Sequence, residues 1–214
     1  MSILQFLSSQ VGQRGEQGNH YAAGLILEKP ELMEQLLPCL IGKEVKLLAD
    51  CAEVCTMVAE VQPALVAPHT AVLIPLAAHK NTRVRWEAMH ALALVSALVP
   101  ELLLPRWNQF STMFREDQSV IVRDCIVLMA GNLAAIGADS TAIVLPLLTE
   151  ALSAHQTHHA KLALEGLVKA LPHLLPEACT ELSAQAELYA QHPKPSIMKA
   201  AQKLEKEIIR KSAG

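Results

Sequence analysis

No stretch of this chain approaches the ~18 uninterrupted apolar residues that a membrane-spanning helix needs, although 51% of its 214 residues are hydrophobic and its mean hydropathy is +0.27. Glu60, Gln62, Pro63 and Pro68 break one candidate, and Pro100, Glu101 and Pro105 break another. No membrane span is therefore expected. Charge is sparse and nearly balanced, with 18 Lys plus Arg against 21 Asp plus Glu and a formal net charge of -3. No global basic field is there to recruit nucleic acid, which is not the expected partner. Five cysteines, an odd number without a Cys-x-x-Cys pair, argue against a disulfide framework or a zinc knuckle. Cys51 and Cys55, one helical turn apart, read as small apolar core residues. The N-terminus lacks the basic start and long apolar stretch of a secretory signal, so a cytoplasmic location is expected. A glycine-rich phosphate loop, a Gly-x-Ser-x-Gly elbow and a His-Glu-x-x-His signature are all missing from the sequence. No catalytic residue, cofactor or metal ligand is expected.

What is abundant is repetition. A basic residue followed by a mostly apolar run stands at Lys46, Arg85, Arg123, Lys161 and Lys199, with steps of 39, 38, 38 and 38 residues. In register, four copies place apolar residues one before the basic position and three, six and ten after it. These are Val45, Ala49 and Ala52; Val84, Ala88, Ala91 and Val95; Val122, Ile126, Met129 and Leu133; and Ala160, Leu164, Leu167 and Leu171. Thr56 is the one exception. At about 100° per residue such positions form one stripe, so each copy predicts a helix with a committed core face. A period of this length fits one helix pair per unit in a stacked array. The inner helices are predicted to begin near Val45, Val84, Val122, Ala160 and Ile197.

The remaining segments follow from that frame. Residues 1–18 form an N-terminal cap segment, with Ile3, Leu7 and Val11 on one side of a short helix and a flexible connection over 12–18. Residues 19–29 form a partial unit stopped by Pro30. Helix-pair units are expected at about 30–63, 64–99, 100–137, 138–175 and 176–211, all within a single domain spanning 1–214. In the last unit Gln202 and Glu205 replace apolar residues, as a terminal cap requires. Trp107, Phe110 and Phe114 share a helical face and read as core. His155, His158 and His159 have metal-like spacing but lack a further ligand nearby, and read as structural or surface histidines.

Prolines recur in the first helix of each pair, at Leu36-Leu37-Pro38, Leu73-Ile74-Pro75, Leu103-Leu104-Pro105 and Val144-Leu145-Pro146. They predict a bend in each outer helix. An apolar helix with an embedded proline, a short turn and then Val-Arg-x-x-Ala resembles the HEAT-repeat (armadillo-like) family over about 180 residues, Pro30 to Lys211. The resemblance implies an all-α fold, a right-handed α-α superhelix of about five HEAT-like helix pairs, and says little about activity. The family often carries an aspartate before the basic residue. Asp117 fits it, whereas Leu40, His79, His155 and Pro193 depart from it.

Such an array points to a scaffold or adaptor that binds a protein partner, or a second copy of itself, through its inner helices. Positions one, eight and twelve after each basic residue lie opposite the core stripe at 100° per step. They give Leu47, Val54 and Val58, then Trp86, with Met89 as an adaptable wall and His90 one turn on from Trp86; these positions either form an apolar groove or are buried by neighbouring inner helices and the N-terminal segment. Asp124 and Lys169 follow further along as charges that set orientation. Two resemblance-based alternatives are helical-repeat DNA alkylation-repair glycosylases and HEAT proteins related to bilin lyases. The first are basic proteins with a carboxylate in their groove, whereas this chain is acidic overall; nothing local in the sequence supports the second.

Overall fold

The computed structural model describes residues 2–12 and 15–212. They fall into two compact units, Met1–Leu102 and Leu103–Gly214. The described residues form helices and turns with no strand, and none of their helices is long and apolar enough to cross a membrane.

In the N-terminal unit, helices α1 (Gln17–Glu28), α2 (Val45–Val61) and α3 (Thr82–Val95) pack in sequence order, α1 on α2 and α2 on α3. The cap begins as a 3₁₀ turn, Ile3–Phe6, with Ile3 and Leu7 fully buried, while Val11 is 44% exposed and off the core. Of the connection expected over 12–18, Gln13 and Arg14 lie outside the described residues, and Gln17 and Gly18 already belong to α1. In the C-terminal unit, α4 (Trp107–Glu116) and α6 (Ala138–Ser153) pack against α5 (Val120–Ala134). Helix α7 (Ala160–Ala170) lies between α5 and α9 (Pro195–Ser212), and α8 (Pro176–Ala190) covers α9.

The five inner helices α2, α3, α5, α7 and α9 each begin within two residues of the predicted start. Side-chain caps fix two of these starts: Asn81 Oδ1 accepts from Val84 N at 3.2 Å, and Ser119 Oγ accepts from Val122 N at 3.4 Å. Every residue of the apolar stripe is buried except half-buried Val45. Trp107, Phe110 and Phe114 are core, at 5%, 1% and 0% exposure. In α9 the stripe residues Ala201, Leu204 and Ile208 are buried, while Gln202 is exposed and Glu205 half-exposed.

The arginine of the repeat has a defined task. Arg85 Nη1 donates to the carbonyl oxygen of His79 at 2.9 Å, and Arg123 Nη1 to that of Asp117 at 2.8 Å, each tying the inner helix to the turn before it. Asp117 Oδ1 accepts from Ser119 N at 2.8 Å, and His79 Nδ1 accepts from Asn81 N at 3.0 Å. The imidazole of His79 thus performs the turn-closing role of the aspartate, so a departure in residue type leaves the geometry intact.

The prolines interrupt the α-helical pattern of the outer segments locally. Only Pro146 sits inside a continuous helix, α6. Pro38, Pro75 and Pro105 lie in short pieces, Leu37–Leu40, Ile74–Ala78 and Leu104–Arg106, the last two of them 3₁₀. Between Pro63 and Ala78 three prolines at 63, 68 and 75 divide the outer segment into four pieces. The pieces abut, with right-handed helical geometry at the joins Ala67, Thr70 and Ile74, so the closely spaced missing N–H groups tighten the segment into 3₁₀ turns without ending it.

Candidate binding face

Helix α2 is buried on every side through its middle, from Leu48 to Thr56, because α1, α3 and the short outer helices all pack on it. A helix so enclosed has no solvent stripe for polar residues, yet it carries Asp50 and Glu53, at 1% and 5% exposure. Buried charges persist only when they are paired and hydrogen-bonded. Arg83 at the start of α3 supplies the charge, its Nη2 lying 2.8 Å from Asp50 Oδ1 and 2.7 Å from Glu53 Oε2. Asn19 on α1 donates from Nδ2 to Asp50 Oδ1 at 3.1 Å and also to Glu53 Oε2. Its Oδ1 accepts from Ser8 N at 3.0 Å, and Asp50 Oδ2 accepts from Ser9 N at 2.7 Å. One polar network therefore binds the segment around Ser8 and Ser9 and three helices together.

Burial raises the Asp50 carboxyl, but the bonds from Ser9, Asn19 and Arg83 outweigh it and hold the group below its ordinary range. Glu87, next along α3, moves the other way. Burial raises it first, the Glu53 charge adds to this, and the bond from Trp86 Nε1 to its Oε1, 2.7 Å, offsets only part. His90 is lowered by burial, with Glu60 acting against the shift. Thr56, the exception in the stripe, donates its hydroxyl to the Glu87 carbonyl oxygen at 2.9 Å and so joins α2 to α3. Beside this network a hollow of about 510 Å³ is lined by Ser8, Ser9, Glu16, Lys46, Asp50 and Arg83, with Gly12 and Gly15. Across the network and hollow, the carboxylates of Glu16, Asp50 and Glu53 stand with the two cations of Lys46 and Arg83.

The predicted contact residues divide. Val54, Val58 and Met89 are 0% exposed, so they belong to the core and offer no contact surface. Of the two readings open for these positions, burial holds there, because α2 and the middle of α3 are flanked by neighbours that enclose the side opposite the stripe as well. Leu47, Trp86 and His90 are half-buried and reach the surface. Asp124 in the C-terminal unit is committed to His159, whose Nδ1 lies 2.6 Å from its Oδ1. Lys169 is exposed and donates to Asn132 Oδ1 at 2.8 Å.

His159 is fully buried and stacks edge-on against Phe114 and His155. The turn before it, His155 to Thr157, has φ of 50°, 58° and 63°, a left-handed run that side chains rarely adopt. His155 Nε2 lies 3.2 Å from the Phe114 carbonyl oxygen, which anchors that turn on α4. Among the described residues, no group of three His, Cys, Asp or Glu side chains is placed to hold a metal ion.

No known protein family matches the sequence, and no curated protein matches it. The fold, in contrast, is shared with solved structures. An engineered protein superposes with a TM-score of 0.70 at 14% identity, over 98% of each chain. A designed armadillo repeat protein solved in complex with the peptide (KR)4 gives 0.72 at 14% identity, over 96% of this chain and 98% of that one. The archaeal HEAT-like repeats protein from Thermococcus onnurineus NA1 gives 0.56 at 14% identity, over 90% and 93%. The chain has the HEAT/armadillo-like repeat fold, all-α and built from helix pairs.

Proposed function

We propose that this chain is a protein-binding scaffold without chemistry of its own, and that the inner helices of its N-terminal unit receive a basic segment of a partner. The observation that carries this reading is the nearly buried Glu87 carboxylate bonded to the half-buried indole of Trp86, close to the Asp50 and Glu53 carboxylates that share the one guanidinium of Arg83. Glu87 carries a charge that its surroundings disfavour, and an arriving lysine or arginine would compensate it. The Trp86 ring offers such a cation its face, and Leu47 and His90 border it. The peptide (KR)4 bound to the designed armadillo repeat protein has this chemistry, and that protein's fold supports the same use here.

Fluorescence anisotropy with a labelled (Lys-Arg)4 peptide tests the proposal. The wild type is expected to bind saturably, with affinity falling as salt rises. Trp86→Ala and Glu87→Gln should each weaken binding by ~fivefold or more, roughly the 1 kcal/mol of a partly desolvated cation contact. Equal affinity in both variants would sink the proposal.

A further inference from the structure

The inner helices of the C-terminal unit carry a second recess of different character. Gly131 on α5 and Gly166 on α7 meet backbone to backbone: a β-carbon on Gly131 would lie 2.8 Å from Gly166 Cα. Two helices approach this closely only where both lack side chains, because the facing backbone and Leu148 take the places their β-carbons would need. The two glycines also line a slot of about 210 Å³ with Leu128 and Leu162 among its walls and Glu165, Lys169 and Lys203 at its mouth. The walls are half-buried and both lysines are exposed. Glu165 lies 3.6 Å from Lys161, whereas Lys169 bonds to neutral Asn132, so the mouth keeps a positive excess.

We propose that this slot binds an acidic peptide, seating one apolar side chain over the two glycines while carboxylates on either side of it meet Lys169 and Lys203. Volume limits the occupant, because 210 Å³ is below the ~300 Å³ at which pockets begin to take cofactors or drug-sized ligands. Charge selects it, since lysines from two different helices straddle the opening and favour an anion on each flank. An apolar floor has nothing to offer a phosphate backbone, and this disfavours nucleic acid. The inference rests on the scaffold reading above, but it concerns other residues and the opposite ligand charge.

The probe is a fluorescein-labelled Gly-Ser-Glu-Leu-Glu-Ser-Gly peptide, followed by anisotropy with the full chain at low salt. Binding should weaken ~fivefold or more when the peptide leucine becomes alanine, and ~tenfold or more in the Lys169→Glu/Lys203→Glu variant. That variant should in turn bind the Lys-Leu-Lys version of the peptide ~tenfold better than the wild type does. Because both lysines are exposed, the exchange of preference reports recognition and not folding. Trp86→Ala should bind the acidic peptide as the wild type does, which separates the two sites. Four results would each overturn the slot: no binding at up to ~1 mM protein, an unchanged affinity for the alanine peptide, no exchange of preference, or displacement of the peptide by a single-stranded DNA of equal charge. Loss of acidic-peptide binding alone, with (Lys-Arg)4 binding kept, would reject this site and leave the other standing.

Discussion

Arg83 on α3 and Asp50 on α2 form an ion pair of 2.8 Å in which the carboxylate is 1% exposed and the guanidinium side chain 38% exposed. The same guanidinium holds Glu53, so it is the one cation that two buried carboxylates share. Arg83→Met keeps the length of the side chain and strands both. The expected cost is ~3 kcal/mol, the low end for breaking a buried pair because Arg83 reaches solvent. Asp50 titrates below its unfolded value of 3.8, so its contribution to stability is present above that value and is lost as pH falls through the folded one. Urea denaturation across pH 3 to 7 checks both: the midpoint difference between wild type and Arg83→Met should be largest near neutral pH and shrink as pH falls towards the folded Asp50 value.

Glu87 carries the opposite sign. Its folded value lies above the ordinary 4.5, so the protonated form is favoured in the fold, and the ionised form opposes folding as pH rises through that folded value. Glu87→Gln keeps an oxygen for Trp86 Nε1 and removes the charge. It should stabilise the chain by ~1 kcal/mol at pH 7, and this gain should fade as pH falls toward 4.5. Thermal melts at the two pH values measure it. The same substitution is expected to weaken binding of a basic peptide, a trade of function against stability typical of groups kept for recognition.

The glycine contact between α5 and α7 gives a graded series. A β-carbon on Gly131 would meet backbone at 2.8 Å, while one on Gly166 would meet the Leu148 Cδ2 methyl at 2.7 Å and Gly131 Cα at 3.1 Å. Gly24 on α1 has nothing within 4 Å. Gly131→Ala should destabilise by ~1 to 3 kcal/mol, and Gly166→Ala by less, because a leucine methyl can rotate away and a helix backbone cannot. Gly24→Ala should stabilise by up to ~1 kcal/mol, through helix propensity alone. Chemical denaturation orders the three.

The fold was legible because its signal is periodic. Basic residues recurring every 38 or 39 positions, and the stripe from Val84 to Val95 or Ala160 to Leu171, depend on one helix at a time, and local periodicity captures that. The site was less legible because it depends on neighbours. Val54, Val58 and Met89 lie opposite the stripe, but a second flanking helix buries that side too, and no single-helix projection shows a flanking helix. Asp50, Glu53, Arg83 and Glu87 were missed for the converse reason. They sit at positions where a helix pattern expects solvent, and only the enclosure of α2 turns them into a buried network. The readable signal was the pair Asp50 and Glu53, three apart and alone in a run that is otherwise apolar from Leu47 to Ala59 apart from Thr56. The task of His79 was hidden because imidazole and carboxylate share an acceptor geometry and not a letter.

Binding of a basic peptide at the inner-helix face around Trp86 is open to measurement through the chain's own reporter. Two tryptophans are present, and Trp107, at 5% exposure, is core. Replacing it in a Trp107→Phe variant leaves Trp86 as the single indole. Titration of (Lys-Arg)4 into that variant should change Trp86 emission saturably, with the midpoint moving to higher peptide concentration as salt is raised and the change abolished by Glu87→Gln with Glu53→Gln. Unchanged Trp86 emission through ~1 mM peptide, in a variant whose circular dichroism and melting match a folded chain, would show that this face does not take the peptide.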